Sequence, residues 1–157
     1  MSKKLNRKLI SLDSVRWSLY SEIGYDFSYV EQLVKRNKYI DLYKYNSRFE
    51  FELVKGVILN SSNSIIDFGA GHSIIESDSD FEYIRSIMKK RGVTIFLDKK
   101  HHTNIDAFHP EENFLNNYFF SSKCNQRLSD IIIVVDKKNK SQILDEAICN
   151  LDLFKII

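Results

Sequence analysis

The stretch Ile65-Ile-Asp-Phe-Gly-Ala-Gly-His-Ser73 reads as a buried strand that runs straight into a glycine turn. Two glycines spaced by one residue let a backbone bend tightly and approach a ligand, and a helix that follows can offer free N–H groups. A polar connector, Asn60-Ser-Ser-Asn-Ser64, precedes it. Downstream, a helix is expected over Phe81–Lys90, stopped by Gly92, then a β-branched strand over Val93–Leu97. A helix over Glu111–Phe120, a strand over Ile131–Val135 and a closing helix over Ser141–Leu151 complete the alternation. Near-continuous apolar strands separated by helices imply an α/β fold, a three-layer parallel sheet with helices on both faces.

Working outward to the amino end, Lys8–Leu12 is a candidate opening strand, with Asp13 at its end as a candidate cap for the next helix. Helices are expected over Ser14–Ile23, Phe27–Arg36 and Ile40–Leu59, from apolar residues recurring every three or four positions. In parallel sheets ligands gather at the carboxyl ends of the strands. Those ends carry Asp13, the Gly69–Ser73 turn, Asp98 and Asp136. A single domain spanning 1–157 is expected, since no repeat or linker divides the chain.

Composition narrows the function classes. Apolar residues make up 43% of the 157 and charged residues 28%, with a net charge of only +2. That is enough material for a core and too little positive charge for a protein built to neutralise DNA phosphates. Clusters at Lys3, Lys4, Arg7, Lys8 and at Lys89, Lys90, Arg91 read as solvated helix ends. The many phenylalanines and tyrosines fall at core-facing positions, so nucleic-acid binding is not expected. Two cysteines, Cys124 and Cys149, make no disulfide framework or zinc motif, and no apolar run is long enough for a membrane span. The expected setting is a reducing cytoplasm.

The turn Asp67-Phe-Gly-Ala-Gly-His-Ser73 admits two chemistries, cosubstrate binding or substrate binding in a small-molecule kinase. The first resembles motif I of class I methyltransferases, which use S-adenosylmethionine. Ser73 stands where the third glycine would be, and too few strands follow for that fold. The second covers nearly the whole chain, from about Leu5 to Leu151. Ile10-Ser-Leu-Asp-Ser-Val-Arg-Trp17, Glu22-Ile-Gly-Tyr-Asp26, the glycine turn and the closing Asn116–Ile148 segment, in that order, resemble shikimate kinase-like proteins of the phosphate-loop kinase superfamily. The resemblance implies that Asp13 matches the acid on substrate hydroxyls, with the magnesium-side acid absent. It also implies that Gly69, Ala70 and Gly71 cradle the substrate. The family's substrate-carboxylate arginine has no counterpart at matching spacing, although Arg48 lies nearby, and Lys123 and Arg127 fall in the lid region.

None of the five glycines is followed by lysine, so this stretch of chain carries no Gly-x-x-x-x-Gly-Lys-[Ser/Thr] loop for the terminal phosphates. The expectation is a degenerate shikimate kinase-like domain that binds a small molecule or a regulatory partner without phosphotransfer of its own. No cofactor is expected, and ATP with magnesium enters only if a phosphate loop comes from elsewhere. The alternative is a small-molecule kinase whose nucleotide-binding segment lies outside this sequence or on another chain, and the methyltransferase is a third. The family's first strand would lie between Ser64–Phe68 and Val93–Leu97. Those two strands are therefore expected either to pair directly or to be completed by a partner chain or self-association.

The candidate substrate-binding residues are Asp13, Arg16, Asp67, Gly69, Gly71, His72 and Ser73. Asp67 is either a ligand contact or a strand-end carboxylate accepting backbone N–H groups. Arg16 with Trp17 either closes a pocket beside Asp13 or packs as an ordinary helix pair. His72 is a substrate contact or a turn histidine; adjacent to Ser73, it is not expected to serve as its base. His101, His102, Asp106 and His109 share one polar loop and could meet at a metal, though without the fixed spacing that zinc needs. Glu76, Asp78 and Asp80 read as stabilising charge at a helix start.

Overall fold

The computed structural model describes residues 1–69, 71–99 and 109–154. Twelve elements follow one another: α1 (Ser2–Leu5), β1 (Lys8–Ser11), α2 (Leu12–Glu22), α3 (Phe27–Lys35), α4 (Tyr39–Asn60), β2 (Ser64–Asp67), α5 (Asp78–Arg91), β3 (Ile95–Asp98), α6 (Pro110–Ser121), α7 (Cys124–Leu128), β4 (Ile131–Val134) and α8 (Lys140–Leu153). Local chemistry explains most of the boundaries. Asp26 accepts the Tyr29 N–H at the start of α3, and Ser77 accepts the Asp80 N–H at the start of α5. Helix α5 carries acids in its first turn and Lys89, Lys90 and Arg91 in its last, matching its dipole. Asn139 and Gln142 form a reciprocal capping box at α8.

The strands pair in parallel, β1 with β2 and β3 with β4. The mixed α/β class with parallel strands is as expected. The direct pairing of the 64–68 and 93–97 strands is not found: among the described residues the ladders form two separate two-stranded sheets. The main core joins Leu12 and Tyr20 of α2 to Phe49, Leu53, Val54, Val57 and Ile58 of α4, and to Phe81, Ile84, Ile87 and Met88 of α5. Ile10 and Ile66 bring the β1–β2 pair against that core. A smaller cluster of Ile131, Ile133 and Ala147 holds α8 on β3–β4.

Two expectations need correcting. Asp13 does not cap α2, which starts two residues earlier than expected, at Leu12 after Ser11, with no side-chain cap; Asp13 lies inside the first turn, where its carboxylate faces Arg16 and His72 instead. Helix α7 has no counterpart in the sequence reading, because five residues are too short to show a period. The polar loop expected over 99–110 falls mostly outside the described residues, His101, His102 and Asp106 included. His109 is described, and its Nδ1 accepts the Glu111 N–H at the start of α6. No helix among the described residues is long and apolar enough to cross a membrane.

Candidate functional site

Parallel pairing of β1 with β2 sets their carboxyl ends side by side, with Ser11 opposite Asp67. The chain leaving β1 therefore meets the glycine turn leaving β2. Gly69 has φ +61, and a Cβ there would stand 2.6 Å from an Asp13 carboxylate oxygen. Only glycine meets both demands without displacing a neighbour. Gly69→Ala is expected to cost about 1–2 kcal/mol for the left-handed backbone alone. It should also push the Asp13 carboxylate off His72. Chemical denaturation would read the first effect and the His72 imidazole resonances the second; unchanged resonances would dissociate the turn from Asp13.

His72 is the centre of the arrangement. It is 4% exposed. Its Nε2 lies 3.2 Å from Asp13 Oδ1, and its Nδ1 forms a short contact with Glu50 Oε2 from the middle of α4. A ring held on both nitrogens by carboxylates donates from both only as the imidazolium. Burial works against that charge, but Glu50 and then Asp13 outweigh it and hold the His72 pKa above its ordinary value. Arg16 places its guanidinium 3.7 Å from Asp13 and 4.2 Å from the centre of the Trp17 ring. It pairs with Asp13 one turn away and packs on Trp17, as an ordinary helix pair does.

The remaining turn residues have local roles. Asp67 Oδ1 accepts the Gly69 N–H at 3.0 Å, so it stabilises the turn as a strand-end carboxylate. The Gly71 carbonyl accepts the Ile74 N–H. Ser73 is buried and donates its hydroxyl to Asn125 of α7. Its hydroxyl is committed there and is not paired with His72.

Beside His72 opens a cleft of about 780 Å³, a size that accommodates a small organic ligand. Ser47, Arg48, Glu50 and Glu52 of α4 line one wall, and His72, Glu76 and Ser77 another, with Phe49, Phe51, Ile74 and Ile75 supplying apolar surface. Of the sequence candidates only His72 reaches the cleft; Asp13, Arg16, Asp67, Gly69, Gly71 and Ser73 do not line it. The Tyr118 hydroxyl donates to Glu76 at 3.1 Å. The buried Tyr20 hydroxyl faces Glu50 but lacks a partner at bonding geometry. Its burial first, and the Glu50 carboxylate second, push its pKa above the ordinary phenol value.

Glu50 is the residue that sequence reasoning passed over, and Arg48 entered it only as an arginine near, but not at, the spacing of the family's substrate-carboxylate contact. Glu50 carried a signal: it precedes Leu53, Val54 and Val57 by three, four and seven residues, which places a carboxylate on the buried stripe of α4. No family model, curated protein or solved structure matches this chain. Among the described residues no group of three or more histidine, cysteine or acidic side chains is arranged to hold a metal ion.

Proposed function

We propose that this chain is a shikimate kinase-like binding domain that does not transfer phosphate by itself and holds a small, hydroxyl-bearing molecule in the cleft beside His72. With it we assign the finer architecture, a parallel sheet between two helical layers, interrupted between β2 and β3. The observation that carries the reading is His72, whose ring borders the cleft while Glu50 and Asp13 fix its protonation and orientation. With both N–H groups committed to Glu50 and Asp13, the ring meets a ligand as a surface fixed in one orientation at the carboxyl end of a parallel strand pair, where ligands bind in such folds. Glu52 and Glu76 offer acceptors for hydroxyl groups, Arg48 offers a fork of donors for a carboxylate, and the aromatic walls take an apolar ring face.

Calorimetry with small polyols and cyclic hydroxy acids, shikimate first among them, tests this reading. At least one is expected to bind, with affinity reduced about tenfold or more when Arg48→Ala removes the guanidinium. ATP with Mg²⁺ and S-adenosylmethionine are expected to give no heat. Tight ATP binding by this chain alone would establish the phosphotransferase instead. Tight S-adenosylmethionine binding would establish the methyltransferase, and silence from the whole polyol panel would end the proposal.

A further inference from the structure

We infer that the ligand of the cleft carries a protonated amine as well as hydroxyl groups, and that its ammonium docks against Glu76 and Asp80. This deepens the reading of the cleft as a site for a small hydroxyl-bearing molecule, and it rests on that reading. The substrate class becomes an amino polyol, with any carboxylate it bears turned to Arg48.

The charges along the cleft decide the class. Among the described residues the carboxylates of Glu50, Glu52, Glu76 and Asp80 line it, against the cations Arg48 and His72. Two of these acids are already committed within the protein. Glu50 holds His72, and Glu52 accepts from the Lys55 ammonium at 2.7 Å. Arg48, on the same helix, stacks on Phe49 at 4.4 Å and lies 5.2 Å from the Tyr45 ring. Glu76 and Asp80, on the other wall, form no ion pair among the described residues. An anion placed there would meet two carboxylates without counter-ions. An ammonium would meet two partners away from bulk water, where the attraction is screened less.

Helix stabilisation accounts for only part of this wall. Asp80 lies in the first turn of α5 and complements its dipole, but Ser77 is the N-cap, so Glu76 stands outside the helix. Glu76 is fixed from elsewhere in the chain: the Tyr118 hydroxyl of α6 donates to its Oε1 at 3.1 Å. The Tyr43 hydroxyl of α4, buried without a hydrogen-bond partner, lies near the same carboxylate. A neutral phenol orients a carboxylate without cancelling its charge, so the cleft keeps an aimed anion. The start of α5 also disfavours a phosphate or carboxylate at this end. Asp78 and Asp80 already occupy the turn whose N–H groups would otherwise attract one.

Calorimetry with matched ligands separates the amine from the rest of the site. D-glucosaminate and D-gluconate share a carboxylate and four hydroxyls, and differ in one ammonium for one hydroxyl. Glucosaminate is expected to bind about tenfold more tightly or better. Combining Glu76→Gln with Asp80→Asn should erase that preference while leaving gluconate affinity little changed, since both amides still accept from a hydroxyl. N-acetylated glucosaminate, which has lost the charge, should lose the preference on the unaltered protein, so the result does not depend on how well the double variant folds. Equal affinity for the two acids would overturn the inference. So would a preference that survives the double substitution, or an N-acetyl derivative that binds as tightly as glucosaminate. In each of these cases the hydroxyl-binding cleft itself would stand. Silence from glucosaminate would also overturn the amine, and silence from every polyol and hydroxy acid besides would end both readings.

Discussion

Glu50→Gln is expected to destabilise the protein by about 2 kcal/mol below pH 6.5, and by progressively less as pH rises through the raised folded-state value of His72. Breaking a buried charge pair costs roughly 3–5 kcal/mol, and the smaller figure reflects a glutamate that is part-exposed and a glutamine that still accepts from Nδ1. The pH dependence follows from the sign of the shift. The His72 pKa is raised in the folded chain, so the folded state binds its proton more tightly than the unfolded state does. The resulting stability is complete below about 6.5, the unfolded value, and is lost as pH rises through the folded value. The tyrosines with raised pKa values, Tyr20, Tyr25, Tyr43 and Tyr118, act in the same direction, but only above about pH 10. Urea denaturation between about pH 6 and 9 therefore isolates the histidine from the phenols. A native protein whose stability is flat across that interval, or a Glu50→Gln variant with an undiminished slope, would show that His72 is not held as the imidazolium.

Phe49→Ala is expected to cost about 3–5 kcal/mol, the largest effect of any substitution proposed for this chain. Phe49 is 2% exposed, and its ring lies 5.5 Å from Tyr20, 4.8 Å from Tyr25 and 5.2 Å from Tyr45. Arg48 stacks on it at 4.4 Å. Truncation removes a ring that ties α2, the turn after it and α4 into one core, and it leaves a cavity where no neighbour can collapse freely. Domains of this size have only about 5–15 kcal/mol in hand, so the variant should melt far below the native protein. Phe49→Leu, which keeps most of the volume, should recover the larger part of the loss. A midpoint for Phe49→Ala that corresponds to less than about 1 kcal/mol would mean that the aromatic cluster does not hold these helices.

Both effects trace to α4, and they show where sequence reading succeeded and where it stopped. The apolar stripe Phe49, Leu53, Val57 was legible because helical period is written into neighbouring residues. For the same reason the strands at Ile10, Ile66, Ile95 and Ile131 emerged within a residue or two of their observed bounds. The caps Asp26, Ser77 and Asn139 act on N–H groups within three residues, yet the sequence reading singled out none of them, and the one cap it expected, Asp13, lies inside its helix. Helix α7 escaped because a single turn has no period, and Ser73 reads as a ligand contact in the sequence because its partner, Asn125, lies on that helix.

The amino-acid sequence by itself determined the succession of elements apart from α1 and α7, the turn at Gly69 and the carboxylates waiting at the strand ends, since each depends on interactions within a few residues. Only the tertiary structure decided that Glu50 and Asp13 would grip His72, from 22 and 59 residues away. It likewise decided that β2 and β3 would not pair with each other. A residue's helix or strand preference is set by its own backbone and its nearest turns. Which distant side chain meets it depends on how whole faces pack, and local sequence carries almost none of that information.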